Sequence, residues 1–328
     1  MTVDQPTTLR RRFSEISPKD LIIRNVMVIV LVLVICYFTY RSARFATADN
    51  VLTILVAAAP FALVAIGQTL VILTGGIDLS VGSVIAASAM SAAYVSVRNP
   101  DQLWLAPVAA IGIGLVCGLI NGLVVSALKV PPFVATLGMM TAASGLAYVI
   151  GNGAPINGLP SGYGAFANTA FMGLTIPVIL MILGFVIIWF VLKRTTFGLH
   201  VYAVGGNANA ASLAGVRTGR TLIGVYLLSG ALAGVSGLMI SSRVISGAPS
   251  LGQGYELDAI AAVVIGGASL FGGRGSVWGT LLGLLLIQTL NNGLDILVVP
   301  AYWQSIIKGA LIVAAVALDV WASRRGRR

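Results

Sequence analysis

Two carboxylates, Asp78 in TGGIDLSVGS and Asp258 in GYELDA, stand at the edges of long apolar runs. An unpaired carboxylate deep in hydrocarbon costs about 3 kcal/mol or more. Gly75 and Gly76, just before Asp78, each weaken a helix by about 1 kcal/mol relative to alanine. A chain keeps such residues where backbone and side chain face a turn or a polar cavity. Because LSVGS follows Asp78, its carboxylate is expected to cap the next helix at a re-entrant turn made by Gly75 and Gly76. Asp258 is given the same structural role. Other polar groups recur inside apolar runs: Gln68, Thr69, Asn121, Thr136, Gln288, Thr289, Asn291 and Asn292. Amides and hydroxyls hydrogen-bond neutral polar ligands, and aromatic rings pack against their C–H faces. Gln68, Asn121, Thr136, Gln288, Asn291 and Asn292, with Phe133 and Tyr302 as rings, are therefore expected along a substrate path. Their plainer use is hydrogen bonding between helices, worth about 0.6 kcal/mol on average.

The elements that carry these residues are membrane spans. The chain has 328 residues, of which 58% are hydrophobic and 9% charged, and its mean hydropathy is +0.98. Soluble domains carry roughly 25% charged residues, so this chain cannot cover a water-facing surface of its size. With about 20 apolar residues needed per span, ten candidates emerge: 21–40, 51–73, 79–97, 103–127, 133–150, 174–192, 221–241, 257–271, 276–294 and 302–321. The first is too long for a signal-peptide core and is read as a retained helix. Cys36 and Cys117 lie inside apolar runs and read as small core residues, with neither a disulfide framework nor a metal site. The fold class expected is all-α and polytopic, with a basic tail over 1–20, a transmembrane domain over 21–322 and a second basic tail over 323–328.

The net charge of +10 points to orientation and not to nucleic acid. Five basic residues precede the first run (Arg10, Arg11, Arg12, Lys19, Arg24), and four follow the last (Arg324, Arg325, Arg327, Arg328). Ten spans put both termini on one side. With that side cytoplasmic, fifteen Lys and Arg fall inside and four fall outside (Arg41, Arg44, Arg98, Arg243), as the resistance of basic residues to translocation demands. The uncharged stretch from Gly151 to Gly173 then lies outside.

The two halves share an order of elements. Asp78, Asn121-Gly122 and Val130-Pro131-Pro132-Phe133 in the first match Asp258, Asn292-Gly293 and Val299-Pro300-Ala301-Tyr302 in the second. Five spans separate the copies, so the halves form inverted repeats, a transporter architecture with the substrate path at the repeat interface. The longest inside loop runs from Lys193 to Arg220. Within it Asn207 can cap, Ala208 to Ala214 favours helix, and Gly215 can stop it. A compact two-turn helix with a smooth surface is expected there, presenting Asn207, Ala208, Ala211, Leu213, Ala214 and Gly215. His200 in the same loop has no neighbouring ligand and makes no metal site. The chain has no Gly-x-x-x-x-Gly-Lys-Ser/Thr phosphate loop, so it is read as a transport subunit without ATP hydrolysis of its own.

Four stretches, Ala65 to Ala86, Gly118 to Met140, Ala203 to Val216 and Gly254 to Gly283, resemble the ribose-type permease family of bacterial ABC importers; the second also echoes the branched-chain amino-acid permeases. The resemblance covers roughly residues 50–320. It implies a bacterial inner-membrane subunit working in pairs with an identical or paralogous permease. It also implies cytoplasmic ATPases that bind ATP and Mg, an extracytoplasmic sugar-binding protein, and a coupling helix at Asn207–Gly215. Because the binding protein supplies selection, the permease should hold its sugar weakly, and ribose, xylose, galactose or inositol are not told apart. Two rivals use the aspartates differently. An ion-gradient-driven secondary transporter would employ Asp78 and Asp258 as coupling sites. An intramembrane aspartyl protease would need both carboxyls on one water, and the sequence Gly-Gly-Ile-Asp departs from the Gly-x-Gly-Asp of such proteases.

Overall fold

The computed structural model describes residues 26–325. The basic tail over 1–20, the start of the first apolar run, and Arg327 and Arg328 lie outside the described residues. Twelve helices follow one another: α1 (Val26–Arg41), α2 (Ala48–Leu73), α3 (Val81–Arg98), α4 (Leu105–Ser126), α5 (Pro132–Ile150), α6 (Ala165–Asn168), α7 (Ile176–Arg194), α8 (Thr196–Leu213), α9 (Thr218–Val244), α10 (Tyr255–Ile265), α11 (Val277–Ile296) and α12 (Ala301–Arg325). Six of them, α2, α3, α4, α5, α7 and α9, are long and apolar enough to cross a membrane, and α1 is a shorter apolar helix of 16 residues. This is a polytopic membrane architecture.

Three expectations are corrected. The run 257–271 is no full span: α10 has 11 residues, which at 1.5 Å per residue reaches about half of a 30 Å hydrocarbon core. Glycine-rich chain follows it, where Gly267, Gly272, Gly273 and Gly275 hold positive φ. The stretch from Lys193 to Arg220 is helical over most of its length and not a loop with one short helix. The all-α expectation misses a small antiparallel hairpin, β1 (Ala170–Phe171) with β2 (Leu174–Thr175). Its two turn residues, Met172 (φ 52) and Gly173 (φ 82), have the left-handed backbone that suits the twist of a two-residue hairpin. Tyr163, in the same segment, is fully buried and shares a 2.7 Å hydrogen bond with Ser241 of α9. Cys36 is exposed, against expectation, while Cys117 is buried.

α9 is the axis of the bundle, with α2, α3 and α4 packed around it. Small residues make this possible. A Cβ on Gly114 of α4 would strike the carbonyl oxygen of Gly230 on α9, and a Cβ on Gly230 would strike that of Gly114. Gly118 meets the Tyr226 carbonyl oxygen in the same way. Such contact lets backbones approach where no solvent drives the helices together. The last helix, α12, rests chiefly on α10.

The two Val-Pro turns are alike in backbone. Lys129 (φ 55) and Val298 (φ 57), each directly before its Val-Pro, are left-handed non-glycine residues. The aspartates are not alike. Asp78 lies three residues before α3, and Asp258 lies within the first turn of α10. The Asp78–Asp258 correspondence therefore fails in the backbone, and the Val-Pro correspondence holds.

The α4–α9 contact makes a stability test. Gly230→Val should lower the stability of the detergent-solubilised chain by about 1–3 kcal/mol or more, the cost of overpacking a filled contact. Gly145→Ala, on α5 with open space around it, should leave stability unchanged or raise it by up to about 1 kcal/mol. Thermal unfolding followed by Trp fluorescence separates the two.

Candidate functional site

The chain breaks between α2 and α3, and the break is built from side chains of four helices. Gly75 takes φ 80, and the Gly76 N–H returns to the Val71 carbonyl at 3.1 Å. Asp78 is then only 2% exposed. Its Oδ1 accepts from the Ser80 N–H at 2.9 Å and the Ser80 hydroxyl at 2.6 Å, and its Oδ2 accepts from the Ser229 hydroxyl of α9 at 3.2 Å. Asn121 of α4 donates to Ser80 Oγ at 3.0 Å. The Gln68 amide, turned to satisfy both groups, donates to the Asp78 carbonyl at 3.1 Å and accepts from the Asp78 N–H at 3.2 Å. Thr136 of α5 donates to the Ile77 carbonyl at 3.1 Å.

This arrangement places the sequence-derived candidates differently from expectation. Asp78 does not cap the first turn of α3. Ser80 stands at the cap position with αR backbone and no side-chain cap bond, and Asp78 instead gathers hydroxyl and amide donors. Gln68, Asn121 and Thr136 are buried and hold this break; they do not line an open path. Phe133 is 53% exposed and Tyr302 66% exposed, both on the outer surface. Asn292 exchanges two 2.9 Å hydrogen bonds with Asn50, tying α11 to α2. Gln288 and Asn291 do face a cavity of about 570 Å³, between α2, α10, α11 and α12, which Arg243, Asp258, Gln304 and Lys308 also line. Lys308 Nζ lies 3.0 Å from Asp258 Oδ2, so Asp258 is paired and is no helix cap. Asp78 and Asp258 share no partner.

The helix α8 breaks at Asn207 (φ −163, ψ 103). The Asn207 Oδ1 accepts from the Ala210 N–H at 3.0 Å, capping the turns that follow. Those turns close at Gly215 (φ 86). The Val216 N–H reaches the Ala211 carbonyl, and the Gly215 N–H reaches that of Ser212, both at 3.0 Å. This is the paired bonding of a left-handed helix stop. Ala208, Ala214 and Gly215 are exposed, and Leu213 is 91% exposed. Ala211, expected on the outer face, is 5% exposed and turns inward. His200 lies in α8 itself, not in a loop, beside Arg217 and Arg220.

Just before Asn207, three segments meet without room for side chains. A Cβ on Gly205 would strike the Leu73 carbonyl oxygen, where α2 ends. The Gly273 N–H donates to that same oxygen at 2.9 Å, and Tyr202 Oη donates to the Gly275 carbonyl at 2.9 Å. The exposed turns therefore bear directly on the end of α2, five residues from Asp78, and on the chain between α10 and α11. Sequence reasoning missed this joint and also missed Glu256, two residues from Asp258. The unusual acidic pair in GYELDA was the available signal for Glu256.

Comparison with known proteins agrees with the geometry. The model of the family described as "Branched-chain amino acid transport system / permease component" matches residues 50–316. The chain is similar to the ribose import permease protein of Bacillus subtilis, 45% identical over 276 residues, covering 82% of this chain and 84% of that one. It is 41% identical over 295 residues to the ribose import permease protein of Escherichia coli K12, covering 89% and 92%. The D-allose transport system permease protein of the same strain is 35% identical over 291 residues, covering 88% and 89%. No solved structure matches the chain.

The break around Asp78 makes its own test. Asp78→Ala strands buried donors, each costing about 1–3 kcal/mol, and should lower the unfolding temperature markedly. Asp78→Asn keeps an acceptor for Ser80 and a group able to pair with Ser229, so it should lose clearly less. Equal unfolding temperatures for the parental chain and the alanine variant would show that the network contributes nothing.

Proposed function

The chain belongs to the permease-component family of branched-chain amino acid transport systems, and from that premise we propose that it is the membrane subunit of an ATP-driven bacterial importer for a monosaccharide or related polyol. The similar chains are named for ribose and allose, and others for fructose and galactose. That range of neutral polyols favours a permeable path over a selective site. In this reading the chain crosses the inner membrane ten times as two inverted repeats with both termini cytoplasmic, the irregular segment Ser246–Gly254 and the half-length α10 together making one of the crossings. The fifteen-to-four asymmetry of basic residues and the matching left-handed residues before the Val-Pro turns support it. A second permease, identical or paralogous, completes the path. An extracytoplasmic sugar-binding protein delivers substrate, lipid surrounds the spans, and the ATPase binds ATP and Mg.

The observation that carries the reading is the capped, exposed helix from Asn207 to Gly215. An isolated pair of helical turns is marginal in water, yet here both ends are closed by specific bonds and the outer face is left uncovered. That suits a part preformed for seating in a partner. Displacement of this helix would pass through Gly205 to the end of α2 and to Gly273, since neither contact contains a compressible side chain. The carboxylates favour ATP over an ion gradient as the driver. Asp78 is engaged by Ser80 and Ser229, and Asp258 by Lys308, leaving neither poised as a lone ion site.

The inward turn of Ala211 decides which residue to change. Leu213→Glu alters the exposed tip and should cost the isolated chain within about 0.5 kcal/mol, as surface substitutions do. It should nevertheless abolish co-purification of the ATPase and reduce ATP-driven uptake of D-ribose, D-allose, D-fructose or D-galactose at least tenfold. Parental co-purification and uptake by the variant would remove the coupling assignment.

A further inference from the structure

Two non-helical segments converge where α3 and α10 begin. The connection from Ser246 to Gly254 descends along α3: Gly247 lies against Ala89 and Ala93, and Gly252 against Ile85 and the Gly82 carbonyl. Gly252 (φ 81) and Gly254 (φ 86) allow its turns. It delivers Glu256, half-buried, to the first turn of α3, with the carboxylate Oε2 against Gly82. The Glu256 Oε1 accepts from the Gly254 N–H at 3.3 Å. Irregular backbone and a carboxylate among apolar spans are tolerated where they line a cavity, and a cavity is present. It measures about 420 Å³ and lies between α3, α5 and this segment. Ser83, Ser144, Tyr148, Ser250, Gln253 and Glu256 line it, with Met140 and Leu251 giving apolar surface.

The volume falls within the roughly 300–1,000 Å³ of small-molecule sites. Hydroxyls, an amide and one carboxylate offer both donors and acceptors, and the Tyr148 ring and Met140 offer surface to C–H groups. A neutral polyol uses both kinds of contact at once. The larger cavity near α12 is less suited, because its Asp258 and Lys308 already satisfy each other at 3.0 Å and would have to be separated to serve a neutral ligand. We propose that the cavity between α3, α5 and Ser246–Gly254 is a weak monosaccharide-binding waypoint on the translocation path, with Glu256 accepting sugar hydroxyls and Ser144 lining its α5 wall. The proposal rests on the permease reading. It adds a site contributed by both halves of the chain, built from residues other than those the sequence marked.

The test uses the assembled importer, this chain with its ATPase and sugar-binding protein, in vesicles supplied with ATP. The probes are radiolabelled D-ribose, D-allose, D-fructose and D-galactose. Glu256→Gln keeps the size of the side chain and an acceptor for the Gly254 N–H but loses the charge, and should lower uptake of the transported sugar about tenfold with ATPase co-purification intact. Ser144→Cys, made with Cys36 and Cys117 replaced by Ser, allows the assembled complex to be compared before and after reaction with a negatively charged methanethiosulfonate. Modification should block most of the uptake that the same complex showed beforehand, whatever the substitution itself did to folding. Parental uptake by Glu256→Gln together with unchanged uptake after Ser144→Cys modification overturns the waypoint and leaves the permease reading standing. No ATP-driven uptake of any of the four sugars by the parental complex overturns the permease reading and the waypoint with it.

Discussion

Wherever a helix stops between apolar neighbours, its freed N–H and C=O groups must find partners within the protein, since hydrocarbon offers none. The rest of this structure depends on how that demand is met at the break from Thr74 to Ser80. Gln68 pairs both backbone groups of Asp78, Thr136 takes the Ile77 carbonyl, and the Asp78 side chain gathers Ser80 and Ser229. These partners come from α2, α5 and α9, while Asn121 adds α4 through Ser80. One irregular segment thus fixes the relative placement of four helices. The glycine contacts of α4 with α9 then let those helices lie close enough for the short serine and asparagine side chains to reach.

The same demand explains which parts of the molecule were legible in the sequence. Local features read well. Asn207 and Gly215 were recognisable as the ends of a short helix because a cap and a left-handed stop act within a few residues of themselves. Apolar run lengths located most of the helices for the same reason. Polar residues inside spans did not declare their use. Gln68, Asn121 and Thr136 have the chemistry of sugar ligands, but whether an amide faces a cavity or a neighbouring backbone is settled by tertiary packing. Ala211 was assigned the wrong face because a helix made almost wholly of small residues carries no apolar stripe to orient it. The short α10 was read as a span because its apolar composition continues past Ile265 into the glycine-rich chain that ends it.

The shared motif order was half legible. Lys129 and Val298 adopt the same left-handed backbone before Val-Pro, a backbone equivalence that motif order pointed to. Asp78 and Asp258 share only residue type: one organises a buried network ahead of α3, and the other, in α10, pairs with Lys308 of α12. Treating them as equivalent also hid Glu256, the acidic residue that lies against the first turn of α3. A carboxylate's neighbours, more than its place in a motif, determine its function.

The parts connect in a mechanical order from the exposed turns to the break. The exposed turns after Asn207 meet the end of α2 and the chain after α10 through Gly205 and Gly273; α2 leads into the break at Asp78, and α10 carries Glu256 in its first turn. The most direct measurement is sugar uptake by vesicles holding the purified importer, energised either by ATP or by an imposed proton or sodium gradient. ATP should drive accumulation of at least one neutral monosaccharide only when this chain, its ATPase and the binding protein are all present, and the gradients should drive none. Accumulation by this chain alone under a gradient without ATP would contradict the account.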